Sequence, residues 1–146
     1  MSQIEKTTKT NWTILFVCWL LVSVSTTISV FFSYVLEYEP CVLCWYQRIC
    51  LFPLIVIFAA GLLPAFDKSV IKYALPLAIV GGLTAFYHTL LYAGIIPERL
   101  QPCSKGVSCT EKYIELFGFV SIPMLSFFAF SIIVTLLIVL KRRTSK

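Results

Sequence analysis

Six cysteines stand in a chain of 146 residues, and four of them form two close pairs. Cys41 and Cys44 enclose Val42 and Leu43, while Cys103 and Cys109 enclose the five residues Ser104-Lys105-Gly106-Val107-Ser108. Cysteines in such pairs can be static disulfides, metal ligands or partners in thiol-disulfide exchange. Exchange needs an accessible sulfur attacked by a thiolate, and a second cysteine close enough to resolve the mixed disulfide. Two such pairs within reach of each other permit a relay. A four-cysteine zinc site fits less well, because a five-residue gap exceeds the usual knuckle spacing of about two to four, and no metal is expected. Cys18 and Cys50 have no partner at either pair and read as small buried packing residues.

Two further residues bear on the chemistry. Pro40 disfavours a helical Glu39, so a helix is expected to begin near Cys41 and to place Cys44 in its first turn. Free backbone amides and the helix dipole would there stabilise a thiolate on Cys44. Arg48 lies one turn deeper on the same face and adds a permanent positive charge, which Glu37 and Glu39 oppose. His88 and Arg48 are the ionisable groups, tyrosines and cysteines aside, that lie well inside hydrophobic stretches. Such residues are functional candidates because leaving them unpaired in hydrocarbon is costly. The competing readings are a packing hydrogen bond for His88 and a snorkelling anchor for Arg48.

The elements that must position these groups follow from composition. The chain is 59% hydrophobic and 13% charged, with a mean hydropathy of +0.90, more apolar than one soluble core can hide. Four apolar intervals are each long enough to cross a bilayer, at about 20 residues per crossing. They cover about residues 12–35, 45–66, 73–96 and 116–140 of a single transmembrane domain, 1–146, with outer loops at about 36–44 and 97–115. Each span must be helical, since hydrocarbon offers no partner to an unpaired amide. The expected fold is an all-α integral membrane four-helix bundle. The first span has a basic start but is too long for a signal-peptide core and reads as retained.

Orientation follows from lysine and arginine. Lys6 and Lys9, then Lys68 and Lys72, then Lys141, Arg142, Arg143 and Lys146 occupy the N-terminal tail, the second connection and the C-terminal tail. The first connection carries Glu37 and Glu39 with no basic residue before Arg48. Both termini should therefore face the cytoplasm, and the basic residues mark that side rather than a nucleic-acid site. The two cysteine pairs then fall on the oxidising, extracytoplasmic side. Small and hydroxylated residues, Ser23, Ser25, Thr26, Thr27 and Ser29 in the first span and Gly81, Gly82, Thr84 and Ala85 in the third, suit close helix packing. Pro53, Pro76 and Pro123 are expected to kink the spans that hold them. Tyr113, Ile114 and Phe117 suggest a short interfacial helix over residues 111–117.

The run Pro40-Cys41-Val42-Leu43-Cys44-Trp45-Tyr46-Gln47-Arg48 closely resembles the signature of the disulfide bond formation protein B family, the DsbB/BdbC-type membrane thiol:quinone oxidoreductases. Tyr87-His88-Thr89, the second outer cysteine pair and Phe117-Gly118-Phe119 before Ile122-Pro123 support it. The five-residue gap between Cys103 and Cys109 resembles the short-loop branch, so a relay order taken from the longer-loop branch does not carry over directly. The resemblance implies a membrane thiol oxidase of the bacterial cell membrane that reoxidises a thioredoxin-fold thiol-disulfide oxidase of the DsbA/BdbD type. Electrons would pass to a quinone, ubiquinone or menaquinone, and so support disulfide bond formation. It further implies that Cys103 and Cys109 exchange with the partner, that Cys41 and Cys44 reoxidise them with Cys44 facing the quinone, and that Arg48 and His88 belong to the quinone site.

Three other readings are separable by experiment. A vitamin K epoxide reductase-like enzyme also couples a four-helix bundle to quinone chemistry, but the direct Cys44-Trp45-Tyr46-Gln47-Arg48 continuation favours the first family. A structural membrane protein with static disulfides would keep its activity when the cysteines are replaced together, and a zinc-stabilised protein would lose its fold on chelation. Topology is the first test. A membrane-impermeant thiol reagent applied outside should label reduced Cys41, Cys44, Cys103 or Cys109 but not Cys18, and labelling of the loop cysteines only from the cytoplasmic side would overturn the orientation.

Overall fold

The computed structural model describes residues 3–37, 39–63, 65–100, 115–116 and 120–145. Cys103 and Cys109 lie outside them, as does most of the expected interfacial helix. Among the described residues four helices are long and apolar enough to cross a membrane: α1 (Gln3–Tyr34), α2 (Val42–Leu62), α3 (Ser69–Tyr92) and α4 (Ile122–Thr144). A short 3-10 turn (Glu98–Leu100) follows α3, and β1 (Glu115–Leu116) pairs antiparallel with β2 (Val120–Ser121). The protein is an all-α, multi-pass membrane bundle.

Cross-helix bonds show that α1 and α2 run antiparallel. The Trp12 indole near the start of α1 donates to the Leu62 carbonyl at the end of α2 (3.4 Å). At the other end Arg48, early in α2, donates to Ser29, late in α1. Lys68 and Lys72 beside the start of α3 and Lys141 near the end of α4 line one open recess. The basic residues of the second connection and the C-terminal tail thus share an end of the bundle, opposite Cys41 and Cys44. α1 meets α4 as well as α2, which closes the ring.

The helices differ from the expected spans at their ends. α1 begins well before Trp12, because the polar segment ahead of the apolar run is itself helical and carries an exposed Glu5–Lys9 pair one turn apart (3.1 Å). Such a pair adds little stability. α4 begins at Ile122 rather than near Leu116, since Glu115 and Leu116 are extended in β1. Pro123 consequently sits in the first turn of α4, at the very start of the span, where its missing N–H costs nothing and calls for no kink. Pro53 and Pro76 are within α2 and α3.

Packing follows the three-and-four spacing of a helical stripe. On α3 the buried face reads Ile71, Ala74, Ala78, Gly81, Ala85 and His88. On α4 it reads Phe130, Ile133, Leu137 and Leu140. Lipid is as apolar as leucine, so helices in a bilayer gain by close contact more than by escaping water. Small residues on α3 permit that contact. A Cβ built on Gly81 would meet the Phe130 ring of α4 (2.6 Å to Cζ) and the Cβ of Cys50 on α2 (3.1 Å). Three helices therefore converge where that side chain is missing. Cys18 and Cys50 are buried in the same core, as packing residues should be.

Gly81→Ala is predicted to destabilise the bundle by about 1 to 3 kcal/mol through overpacking, more than the gain of about 1 kcal/mol in helix propensity offsets. Phe130→Leu in the same chain should restore part of the loss. Thermal unfolding in detergent checks both, and a Gly81→Ala protein as stable as the parent would remove Gly81 from the packing role.

Candidate functional site

The first two turns of α2 hold most of the described site. Cys41 is the N-cap, with extended backbone (φ −65, ψ 167), and its sulfur accepts the Cys44 N–H at 3.4 Å. Serine or aspartate usually fills that position. Pro40 before it cannot continue a helix backwards, and Glu37 (φ 54) reverses the chain after α1. The sulfurs of Cys41 and Cys44 are 2.9 Å apart and unbonded. Leu43 and Leu91 pack beside Cys41, with Tyr87 and Ile96 at the margin, so the pair has an apolar wall. The Tyr87 hydroxyl donates to the Leu100 carbonyl (2.9 Å), tying α3 to the connection that follows it.

His88 reaches this pair from α3. Its Nε2 lies 3.8 Å from Cys41 Sγ, and Gln47 Nε2 lies 3.1 Å from its Nδ1. The two ring nitrogens of His88 are thus flanked by the Cys41 sulfur and the Gln47 amide. Cys41 is buried, as are His88 and Gln47, and Cys44 is half-buried. Hydrogen bonding from the Cys44 thiol, which outweighs burial, together with His88 and the Cys44 amide, brings the Cys41 thiol far below its ordinary range, to about 4.

The sequence reading puts a stabilised thiolate on Cys44, in the first turn, where Cys44 indeed lies. Because the helix starts at Val42, the capping sulfur is that of Cys41, and a cap side chain is what the free amides of a first turn reach. The Cys44 sulfur lies 2.9 Å from that capping sulfur.

Arg48 faces the other way, towards α1. Its Nε donates to Ser29 Oγ (2.9 Å), and one terminal nitrogen donates to the Ser29 carbonyl (2.7 Å) and to Ser33 Oγ. The guanidinium lies over the Trp45 ring, 5.6 Å from its centroid, a cation-π contact. Arg48 is 8% exposed, so its charge is buried but hydrogen-bonded. The structure thus brings Cys41, Cys44 and His88 together, and sets Arg48 on the adjoining side of the same two turns.

No spacing in the sequence marks Gln47, Ser29 or Ser33 as site residues: Ser29 reads as a packing residue and Gln47 only as part of a motif. The available signal was the need of a buried arginine and histidine for partners, and Ser29 and Ser33 are spaced one turn apart near the end of α1.

Residues 9–140 match the family model described as Disulfide bond formation protein DsbB. The chain belongs to that family. It is 47% identical over 136 residues to a probable disulfide formation protein of Metapseudomonas resinovorans, covering 92% of this chain and 94% of that relative. It is 41% identical over 130 residues to probable disulfide formation protein C 2 of Bacillus cereus, covering 89% and 92%. To disulfide bond formation protein C of Bacillus subtilis it is 36% identical over 132 residues, covering 90% and 95%. No solved structure matches. Membership of the DsbB family carries a role in disulfide bond formation and thiol oxidoreductase activity.

The N-cap geometry makes a pH prediction. Ultraviolet thiolate absorbance of the reduced protein, taken as a difference from Cys41→Ser, should persist at neutral pH and vanish only as pH falls through about 4. The folded value is depressed, so the thiolate's contribution to stability is complete above the ordinary thiol pKa of about 8.5. It shrinks as pH falls and is gone below about 4. His88→Ala should raise the midpoint, and a midpoint near the ordinary thiol value in the parent protein would remove the cap from the chemistry.

Proposed function

We propose that this protein is a thiol:quinone oxidoreductase of the bacterial cell membrane, which reoxidises an extracytoplasmic thioredoxin-fold oxidase and passes the electrons to a membrane quinone. The supporting observation is the Cys41–Cys44 pair, with sulfurs 2.9 Å apart, held at a helix start between a histidine and an arginine. The basic ends of the chain favour an extracytoplasmic position for that pair.

The residues present suit a quinone. Arg48 keeps one terminal nitrogen without a hydrogen-bond partner among the described residues, a donor for a carbonyl oxygen. Trp45 and Tyr46 are half exposed beside it, an apolar flank for a flat ring. When bound, a quinone supplies an acceptor for two electrons and two protons.

The chain's own residues do the rest. A partner thiolate attacks the Cys103–Cys109 disulfide, with Cys103 forming the mixed disulfide and Cys109 leaving as thiolate. The partner's second thiol releases Cys103, so the partner is oxidised and the outer pair reduced. Exchange with the Cys41–Cys44 disulfide then moves the two electrons inward and re-forms the outer disulfide. Cys41 holds the resulting negative charge, and His88 is placed to take that sulfur's proton. Re-forming the Cys41–Cys44 bond breaks the Cys44 S–H bond and gives up two electrons. Arg48, one turn from Cys44, stabilises the negative charge that develops on the acceptor's oxygen. Gln47 is a positioning residue that holds the imidazole ring beside Cys41.

Arg48→Lys separates this reading from an anchor. A lysine ammonium cannot reproduce the planar fork that holds Ser29 and Ser33 while leaving a donor over. Loss of one charge-assisted hydrogen bond, about 1.5 to 3 kcal/mol, should slow quinone-dependent turnover about ten- to a hundredfold. Single-turnover oxidation of the partner should be intact, and high quinone should rescue part of the rate. Steady-state rates against quinone concentration decide it: an unchanged curve for a folded Arg48→Lys protein returns Arg48 to the role of anchor. Replacing Cys109 should trap the Cys103 mixed disulfide, and replacing Cys44 should block quinone reduction. The relay is wrong if both variants oxidise the partner at the parental rate.

A further inference from the structure

The Cys41 and Cys44 sulfurs and a ring nitrogen of His88 all lie within 4.8 Å of one another, at one buried place contributed by two helices. We propose that the reduced Cys41–Cys44 pair and His88 together form a zinc-binding site, which exists only in the dithiol state and stalls the protein while it is filled. Zinc takes thiolate sulfur at about 2.3 Å and imidazole nitrogen at about 2.0 to 2.1 Å in tetrahedral sites. Ligand atoms around one ion are therefore about 3.5 to 3.8 Å apart. The Cys41 sulfur and His88 Nε2 stand at 3.8 Å already. The sulfurs, at 2.9 Å, must part by about an ångström, which small side-chain rotations supply.

Charge and supporting contacts agree with this. Two thiolates neutralise a divalent cation, so the filled site is uncharged, as a buried place requires. Filling it forms two Zn–S bonds and one Zn–N bond and releases the remaining thiol proton. No electron is transferred. The imidazole must present an Nε2 lone pair, which requires Nδ1–H to be held by an acceptor. Gln47 provides one when its side-chain amide turns over so that Oε1 faces Nδ1, an outer-shell contact of the kind that orients ligating histidines. Three protein ligands leave one position open, beside the half-buried Cys44, as in zinc sites of two cysteines and one histidine.

The site is tied to redox state by bonding. A disulfide has no thiolate, so closing the Cys41–Cys44 bond removes two ligands and excludes the ion. Conversely, sulfurs held by zinc cannot attack a disulfide. Binding is independent of the quinone reading and is measured without quinone or partner; only its effect on turnover rests on that reading.

The test uses the full chain in detergent, carrying Cys103→Ser and Cys109→Ser so that the outer thiols cannot contribute. Zinc alone is titrated in competition with a chromophoric chelator, into protein reduced by a phosphine and into protein with the Cys41–Cys44 bond formed. One zinc per reduced chain and none per oxidised chain is expected. His88→Ala should weaken binding at least about tenfold, and Gln47→Ala, which removes no ligand, about ten- to a hundredfold. Cobalt substituted for zinc in the protein with His88 and Gln47 intact reports the ligands without relying on those variants: tetrahedral visible bands with a thiolate charge-transfer band are expected. Equal binding by oxidised and reduced protein, or a cobalt spectrum without the thiolate band, would falsify the proposal. So would an unchanged affinity and cobalt spectrum in His88→Ala.

Discussion

Polar groups buried in an apolar bundle must find their partners inside it, because lipid offers none. That constraint is concentrated at the start of α2. The first-turn amide of Cys44 goes to the Cys41 sulfur, the Gln47 amide to His88 on α3, and the Arg48 guanidinium to Ser29 and Ser33 on α1. One short stretch thereby fastens three helices at one end of the bundle. The groups that satisfy the constraint are also those to which the proposed electron and proton transfer is assigned, so holding the fold and holding the proposed site are here largely the same set of contacts.

The remainder of the bundle is built to let these contacts form. The small buried face of α3, Ala74, Ala78, Gly81 and Ala85, brings α3 close to α2 and α4 and ends at His88. A bulkier stripe would push His88 away from Cys41. Phe130 fills the space that Gly81 leaves, so packing in the middle of the bundle sets the distance at the cysteine end. The same logic explains why Cys18 and Cys50 take no part: each is surrounded by core side chains, away from the paired cysteines.

Much was legible from residue types alone. Charge-free intervals announced four helices, because a bilayer accepts few alternatives. Pro40 before Cys41 announced the start of α2, since a residue before proline avoids helical backbone. The ends were harder to read. Hydropathy does not distinguish a polar helical extension from a tail at the start of α1, nor a two-residue hairpin from the first turn of α4. Pro123 could have signalled the later start of α4, because proline is at home in a first turn.

The membrane bundle, the close pairing of Cys41 with Cys44 and the family could be read from residue types alone, because apolar run length, cysteine spacing and the Pro40 to Arg48 motif are local properties. Only the tertiary structure decided which sulfur is capped, and what Arg48 and His88 touch. Capping depends on the backbone angle of one residue, Cys41. The partners of Arg48 and His88 lie 19 and 15 residues away on α1, and 41 and 47 away on α2. Contacts across such separations are set by how antiparallel helices align, and no spacing within a single helix encodes that alignment.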